Sequence, residues 1–295
     1  MAKIISGSAM ADRLMATLAR DVASFSRRNG CVPTLAAVLV GNDPASEIYV
    51  RRKISQCRKV GIGSIEHRYG ADCTEAELRS LIGRLNSDSE VHGILVQMPL
   101  PPQIDSARIL DAIDPVKDVD GFHPVNVGRL STGTGGLIPC TPMGCLMLLQ
   151  SELPGLKGKQ AVVIGKSNIV GKPVALLLLE QECTVTVCHK YTQNLADICR
   201  HADIVVAAAG SPNLVRGHWI KPGAVIIDVG INRVQSEDGK QKIVGDVAAS
   251  EIDHASAFTP VPGGVGPMTI ACLLLNTFKA ADGLVSHDPR LRVDA

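Results

Sequence analysis

Short apolar runs alternate with stretches of helical period along most of the chain, the pattern of parallel α/β architecture. From Ser8 to Arg28, Met10, Leu14, Leu18, Val22 and Phe25 fall on one stripe, which predicts an amphipathic helix. Leu35-Ala-Ala-Val-Leu-Val-Gly41 has no polar alternation and reads as a strand buried on both faces. Asp43-Pro44 supplies an N-cap and a first-turn proline for a helix through about Val60. Thr74-Glu-Ala-Glu77 is a capping box ahead of Leu78, Leu81, Ile82 and Leu85, and Gly93-Ile-Leu-Val-Gln97 is the next strand. The stretch from about Gly121 to Pro142, rich in Gly, Ser, Thr and Pro, reads as an interdomain crossing. A second series follows, with strands at Ala161–Gly165, Thr184–Val187, Asp203–Ala207, Ala224–Asp228 and a short one at Phe258–Val261. Pro267 then opens a helix to about Ala281. The expectation is an α/β protein of two parallel-sheet domains with an active-site cleft between them. The first domain is 1–122. The second is 123–285, a Rossmann-type dinucleotide domain whose last helix, about 267–281, is free to pack back on the first. Residues 286–295 read as a loose tail.

Composition narrows the function. A length of 295 residues fits two domains at roughly 150 each, and 45% hydrophobic with 20% charged residues is ordinary for a globular chain. With 30 Lys+Arg against 29 Asp+Glu there is no basic excess, so no nucleic-acid partner is expected. No apolar run approaches the ~18 residues of a membrane span. The start, Met1-Ala-Lys-Ile-Ile-Ser6, has no long apolar stretch, and Asp12 and Asp21 interrupt the early basic residues, so neither a signal nor a transit peptide is expected. Nine cysteines, none in a C-x-x-C pair, read as buried thiols of a cytoplasmic protein, and no metal site is expected.

In the second half, Ile164-Gly-Lys-Ser167 is not a P-loop, because Gln160 stands where a Walker A has its first glycine. The strand, the turn Gly165-Lys-Ser-Asn-Ile-Val-Gly171, an apolar helix and the next strand make the βαβ context of dinucleotide binding. A tight turn without ligand would look much the same. The next strand ends in Cys188-His189-Lys190, with a cation where an NAD site usually has a carboxylate. Lys166 and Lys190 therefore favour the 2′-phosphate of NADP, although Lys190 alone also suits a solvated strand end. In the first half, Ser46, Tyr49 and Lys53 share a helix face, and Gln97 ends a neighbouring strand. A half-buried tyrosine with a snorkelling lysine is the plainer reading of that pair. Asp114-Pro-Val-Lys-Asp-Val-Asp-Gly-Phe-His123 reads as an acidic loop or a site, with His123 structural.

Together these segments resemble the bifunctional methylenetetrahydrofolate dehydrogenase/methenyltetrahydrofolate cyclohydrolase family. The resemblance rests on Val40-Gly-Asn-Asp-Pro-Ala-Ser-Glu-Ile-Tyr-Val-Arg-Arg-Lys53, Gly93-Ile-Leu-Val-Gln-Met-Pro-Leu-Pro101, Lys117-Asp-Val-Asp-Gly-Phe-His123, Pro139-Cys-Thr-Pro142, Gly165–Gly171 and Thr259-Pro-Val-Pro-Gly-Gly-Val-Gly-Pro-Met-Thr269. It implies NADP-dependent oxidation of 5,10-methylenetetrahydrofolate, then hydrolysis to 10-formyltetrahydrofolate, in one-carbon metabolism and purine biosynthesis. It also implies a homodimer. The implied roles are Lys53 as base or proton shuttle, Gln97 holding Lys53, Tyr49 stacking on folate and Asp120 anchoring the pterin. Gly165, Lys166, Ser167, Lys190 and Ile231 would meet the cofactor, and Gly263 and Gly264 the substrate. The family commonly has arginine at the position of Lys166 and serine at that of Lys190. A short-chain oxidoreductase shares Tyr-x-x-x-Lys, but there the motif follows the cofactor fold, whereas Tyr49 precedes Gly165. A catalytically silent dinucleotide sensor is the other alternative.

Overall fold

The computed structural model describes residues 1–235, 239 and 241–283, so the tail reading for 286–295 lies outside the described residues. The elements in chain order are β1 (Lys3–Ile4), α1 (Gly7–Asn29), β2 (Thr34–Val40), α2 (Pro44–Val60), β3 (Gly63–Tyr69), α3 (Glu75–Ser87), β4 (Gly93–Val96), α4 (Ser106–Asp111), α5 (Pro124–Thr132) and α6 (Cys140–Glu152). There follow β5 (Gln160–Ile164), α7 (Gly171–Glu180), β6 (Thr184–Cys188), α8 (Leu195–Arg200), β7 (Ile204–Ala207), β8 (Val225–Asp228), β9 (Asn232–Gln235), β10 (Gln241–Val244), β11 (Ala257–Phe258) and α9 (Val265–Ala281). No helix among them is long and apolar enough to cross a membrane.

The chain divides into two compact units, one of residues 1–12 and 141–269, the other of 13–140 and the chain from Ile270 onward. Sequence reading puts the boundary at 122/123 and leaves the last helix, about 267–281, free to pack back on the first domain. The structure instead changes unit inside α1, α6 and α9. Helices keep their apolar period through such a change, so composition leaves no mark there. The segment read as a crossing is not irregular either, since it contains α5. His123 caps that helix by accepting the Val125 N–H (3.1 Å) at Nδ1, Pro124 starts it, and Gly133 ends it at φ 64°. In so small a helix, caps rather than apolar period carry the signal.

The smaller sheet is parallel, in the order β3-β2-β4. Its core joins Ala36, Val38 and Val40 to Ile94 and Val96, and to Leu78, Leu81, Ile82 and Leu85 of α3. The capping box of α3 forms as its sequence requires, with Thr74 and Glu77 each accepting from the other's backbone. The edge strand β3, Gly63-Ser-Ile-Glu-His-Arg-Tyr69, has no buried residue. Its polar sequence hides it, and pairing with β2 rather than burial makes it a strand.

The larger sheet has six parallel strands in the order β1-β11-β8-β7-β5-β6. Strands β5, β7 and β8 are almost wholly buried, which matches their unbroken Val/Ile/Ala sequences. In the smaller sheet β2 has its successors β3 and β4 on opposite sides, and in the larger sheet β5 has β6 and β7 on opposite sides. Such a reversal of strand order opens a crevice at the carboxyl ends of the two strands, where ligands of α/β proteins bind. The switch points are β2/β4 and β5/β7.

Candidate active site

The β2/β4 switch point carries the candidate catalytic groups. Asp43 caps α2 by accepting the Ser46 N–H (2.8 Å) and hydroxyl (2.7 Å) at Oδ2. Ser46 is therefore engaged by the Asp43 cap, although it shares a helix face with Tyr49 and Lys53. This cap and Pro44 set the start of the helix and so the direction in which Lys53 leaves it. Lys53 is buried and its Nζ donates to Gln97 Oε1 at 3.1 Å. Gln97 Nε2 donates to the Met98 carbonyl at 2.8 Å, and its backbone N–H to Val38 at 2.9 Å, so the amide oxygen is committed to Lys53. This uses one of the N–H donors of Nζ. Tyr49, one turn earlier on α2, is 39% exposed.

Asp120 lies in a turn closed by the Gly121 N–H on the Asp118 carbonyl (3.0 Å). Gly121 has φ 74°, and a Cβ there would sit 2.5 Å from the Pro139 nitrogen, so glycine is required. Asp118 is buried and points away, accepting from the His123 backbone (2.8 Å) and Asn126 Nδ2 (2.9 Å). From the other side Asn276 donates to the carbonyls of Val119 and Ile138, both at 2.9 Å. Lys117 Nζ donates to the Leu85, Asn86 and Asp88 carbonyls at the end of α3 (3.0, 2.8 and 2.7 Å). Lysine there caps a helix C-terminus. These groups hold the turn, and Asp120 is the carboxylate in it that they do not engage. It accepts no hydrogen bond among the described residues. Desolvation pushes its pKa up to about 6, against the pull of Lys53 and with a smaller push from Asp118.

The β5/β7 switch point belongs to the larger sheet. Gly165 follows β5 with φ 122°, and a Cβ would lie 2.1 Å from the Ala208 carbonyl oxygen. The Ser167 hydroxyl accepts the N–H groups of Val170 (3.2 Å) and Gly171 (3.3 Å), which folds the turn into α7. Ser167 thus shapes the turn. Lys166, Lys190 and Ile231 are exposed at the carboxyl ends of the strands, and neither lysine has an ion pair among the described residues. No carboxylate stands at the end of β6, and the register pairs Ile164 with Cys188, so the Gly165–Lys166 turn neighbours the Lys190 tip.

Gly263 has φ 100° and its carbonyl accepts from the Ser8 N–H at 3.0 Å. A Cβ on Gly264 would meet the Pro260 carbonyl oxygen at 2.5 Å. The freedom of Gly264 is thus already needed for packing within the chain itself.

Sequence reading misses Asp228 and Asp246, two buried carboxylates that organise this rim. Asp246 accepts the successive N–H groups of Ala209 (2.6 Å), Gly210 (2.9 Å) and Ser211 (2.9 Å), and Asn232 Nδ2 (2.9 Å). Asp228 accepts from Gly230 (3.0 Å), Asp246 (2.9 Å) and Val247 (3.0 Å). Burial nevertheless raises its pKa to about 6, because desolvation outweighs those donors. The chain walls Asp246 in so closely that a Cβ on Gly230 would lie 2.2 Å from its Oδ1. An Asp-Gly or Gly-Asp pair in a sequence usually marks a turn, so the signal for such a clasp is weak. Asp246→Asn should leave part of this backbone set unsatisfied and cost about 2 kcal/mol. A drop in Tm of about 4–8 °C checks it.

Residues 5–120 match the catalytic domain of tetrahydrofolate dehydrogenase/cyclohydrolase, and residues 139–284 match its NAD(P)-binding domain. The bifunctional protein FolD of Sphingobium chlorophenolicum is 71% identical over 281 residues, 95% of this chain and 89% of that protein. Two solved structures share the fold. The FolD methylenetetrahydrofolate dehydrogenase/cyclohydrolase of Campylobacter jejuni has TM-score 0.92 and 46% identity, covering 96% of this chain and 100% of its own. The Trypanosoma brucei enzyme, solved with NADP cofactor and inhibitor, has TM-score 0.91 and 40% identity, covering 96% and 98%. Lys53 and Asp120 fall within the catalytic match and the Gly165 turn within the NAD(P)-binding match. With both matches in sequence order along nearly its whole length, the chain belongs to the tetrahydrofolate dehydrogenase/cyclohydrolase family.

Proposed function

We propose that Lys53, held by Gln97, and Asp120, left open on its turn, carry the two reactions of the family in this chain. It oxidises 5,10-methylenetetrahydrofolate with NADP and hydrolyses the methenyl product to 10-formyltetrahydrofolate. The observation that carries the reading is the buried Lys53–Gln97 hydrogen bond beside a carboxylate with no donor among the described residues. Ionised Asp120 accepts two adjacent N–H groups of the pterin, a bidentate and charge-assisted match. Tyr49 stacks on the folate. In the oxidation NADP, when bound, accepts the hydride, and no protein base is needed for that transfer. In the hydrolysis a water oxygen bonds to the cationic methenyl carbon while Lys53, acting as the neutral amine, takes the proton. The hydroxyl formed then gives up its remaining proton as the bond from that carbon to N5 breaks, N5 takes up a proton, and the resulting formyl group stays on N10.

The residues present fit NADP. The Gly165 turn has no room for a Cβ, the end of β6 lacks a carboxylate, and Lys166 and Lys190 are free to meet a 2′-phosphate. Purified protein given 5,10-methylenetetrahydrofolate and NADP should produce NADPH and then 10-formyltetrahydrofolate. Binding of both ligands without turnover would instead support a silent sensor. Lys190→Ala should weaken NADP by about 10- to 150-fold, the value of one charge-assisted contact, and leave NAD unchanged. Equal loss for both cofactors would remove the 2′-phosphate assignment. A cytoplasmic homodimer completes the reading. All nine cysteines are free thiols, which suits a reducing compartment, and sedimentation of the purified protein reads the assembly.

A further inference from the structure

The tip of β6 carries an arrangement that the reading above does not use. The His189 N–H donates to Thr192 Oγ1 and the Thr192 N–H to the His189 carbonyl, both at 2.8 Å. His189 Nδ1 also accepts the Tyr191 N–H at 3.2 Å. This locked turn projects its two central side chains outward, and Tyr191 is 74% exposed. The chain has only eight aromatic residues in all, three Tyr, four Phe and one Trp. A tyrosine spent in the open therefore asks for a reason. Its ring is met edge-on by His189, with centroids 6.2 Å apart and planes at 76°. The Lys190 ammonium lies over that ring, 4.8 Å from its centroid. A lysine side chain with four rotatable bonds and no carboxylate partner would otherwise sample many positions. The ring's negative face restricts it without neutralising its charge, so the cation stays available to an anion.

We infer that Tyr191 is a specificity-determining residue for NADP, acting by holding the Lys190 ammonium where the 2′-phosphate binds. The inference rests on the assignment of Lys190 to that phosphate. It makes Tyr191 a positioning residue, whose effect passes entirely through Lys190. A cation–π contact at an exposed site predicts a modest effect, about two- to fivefold in affinity.

The test measures dissociation constants for NADP and NAD by calorimetry on the full chain. Its variants are Tyr191→Leu, Tyr191→Phe, Lys190→Ala and the double variant Lys190→Ala/Tyr191→Leu. Tyr191→Leu should weaken NADP about two- to fivefold and leave NAD unchanged. Tyr191→Phe, which keeps the ring, should behave as the unaltered protein does. In the Lys190→Ala background, Tyr191→Leu should have no further effect. Loss of both cofactors with Tyr191→Leu, loss with Tyr191→Phe, or a full loss on top of Lys190→Ala would each overturn the inference. If Lys190→Ala itself leaves NADP binding unchanged, the phosphate assignment fails first and takes this inference with it. A selective Lys190→Ala defect with a silent Tyr191→Leu overturns the role of Tyr191 alone.

Discussion

Lys53→Met is expected to lower the cyclohydrolase rate by roughly 10²–10⁴, the range for losing a general acid or base. Methionine keeps most of the aliphatic stem that α2 buries and removes only the amine. Water attack on the methenyl carbon must release a proton, and in the proposed hydrolysis that proton goes to Lys53, whose Nζ lies 3.1 Å from Gln97 Oε1. Hydride transfer needs alignment but no proton acceptor, so the dehydrogenase should fall less. Both rates are measured on one purified variant, with its Tm as the check on folding. Normal hydration alongside collapsed hydride transfer would show that Lys53 positions substrate without moving the proton. Gln97→Leu is the companion measurement. It leaves the amine but removes its acceptor, so its defect should lie in the same step and be smaller.

Asp120→Ala is expected to raise the folate KM by roughly 150- to 20,000-fold, since two hydrogen bonds to a charged carboxylate, each worth about 1.5–3 kcal/mol, are lost together. NADP affinity should not change, and calorimetry with each ligand separates the two. The same residue predicts a pH dependence. Its pKa stands at about 6 because desolvation outweighs the attraction of Lys53. Above that pH the carboxylate is ionised and accepts both pterin N–H groups. Below it, protonation puts a donor where an acceptor is needed, so folate affinity should fall about tenfold for each further pH unit. Asp120→Asn should bind folate weakly with a flat profile between about pH 5 and 7. A wild-type affinity that is constant over this range would place the anchor elsewhere.

Local chemistry was legible wherever a residue's own neighbours decide its conformation. The helix starts at Pro44 and Glu75 could be read because Asp43 and Thr74 cap within three residues, and both caps form. The buried strands could be read because a strand covered on both faces has to be continuously apolar. β3 could not, because its place beside β2 is fixed by backbone pairing, which leaves its side chains free to be polar. The domain boundary was hidden for a related reason, since the chain changes unit inside helices, where no turn residue marks the change.

The sequence by itself determined the α/β class, the two series of strands, the glycine turn after β5 and the residue types of the site. Only the tertiary structure decided which of those residues act together. Lys53 and Gln97 are 44 positions apart and meet because β2 and β4 are neighbours in the sheet. Among the three acidic residues near Gly121, Asp118 is consumed by His123 and Asn126, while Asp120 has no donor among the described residues, a difference of burial and direction that composition does not carry. Asn276 reaches the same turn from 157 positions away, and Asp246 gathers three amides from 35 to 37 positions away. A buried polar group must find its partner wherever the fold supplies one, so the partner's place in the chain is set by the packing of whole elements and not by local sequence.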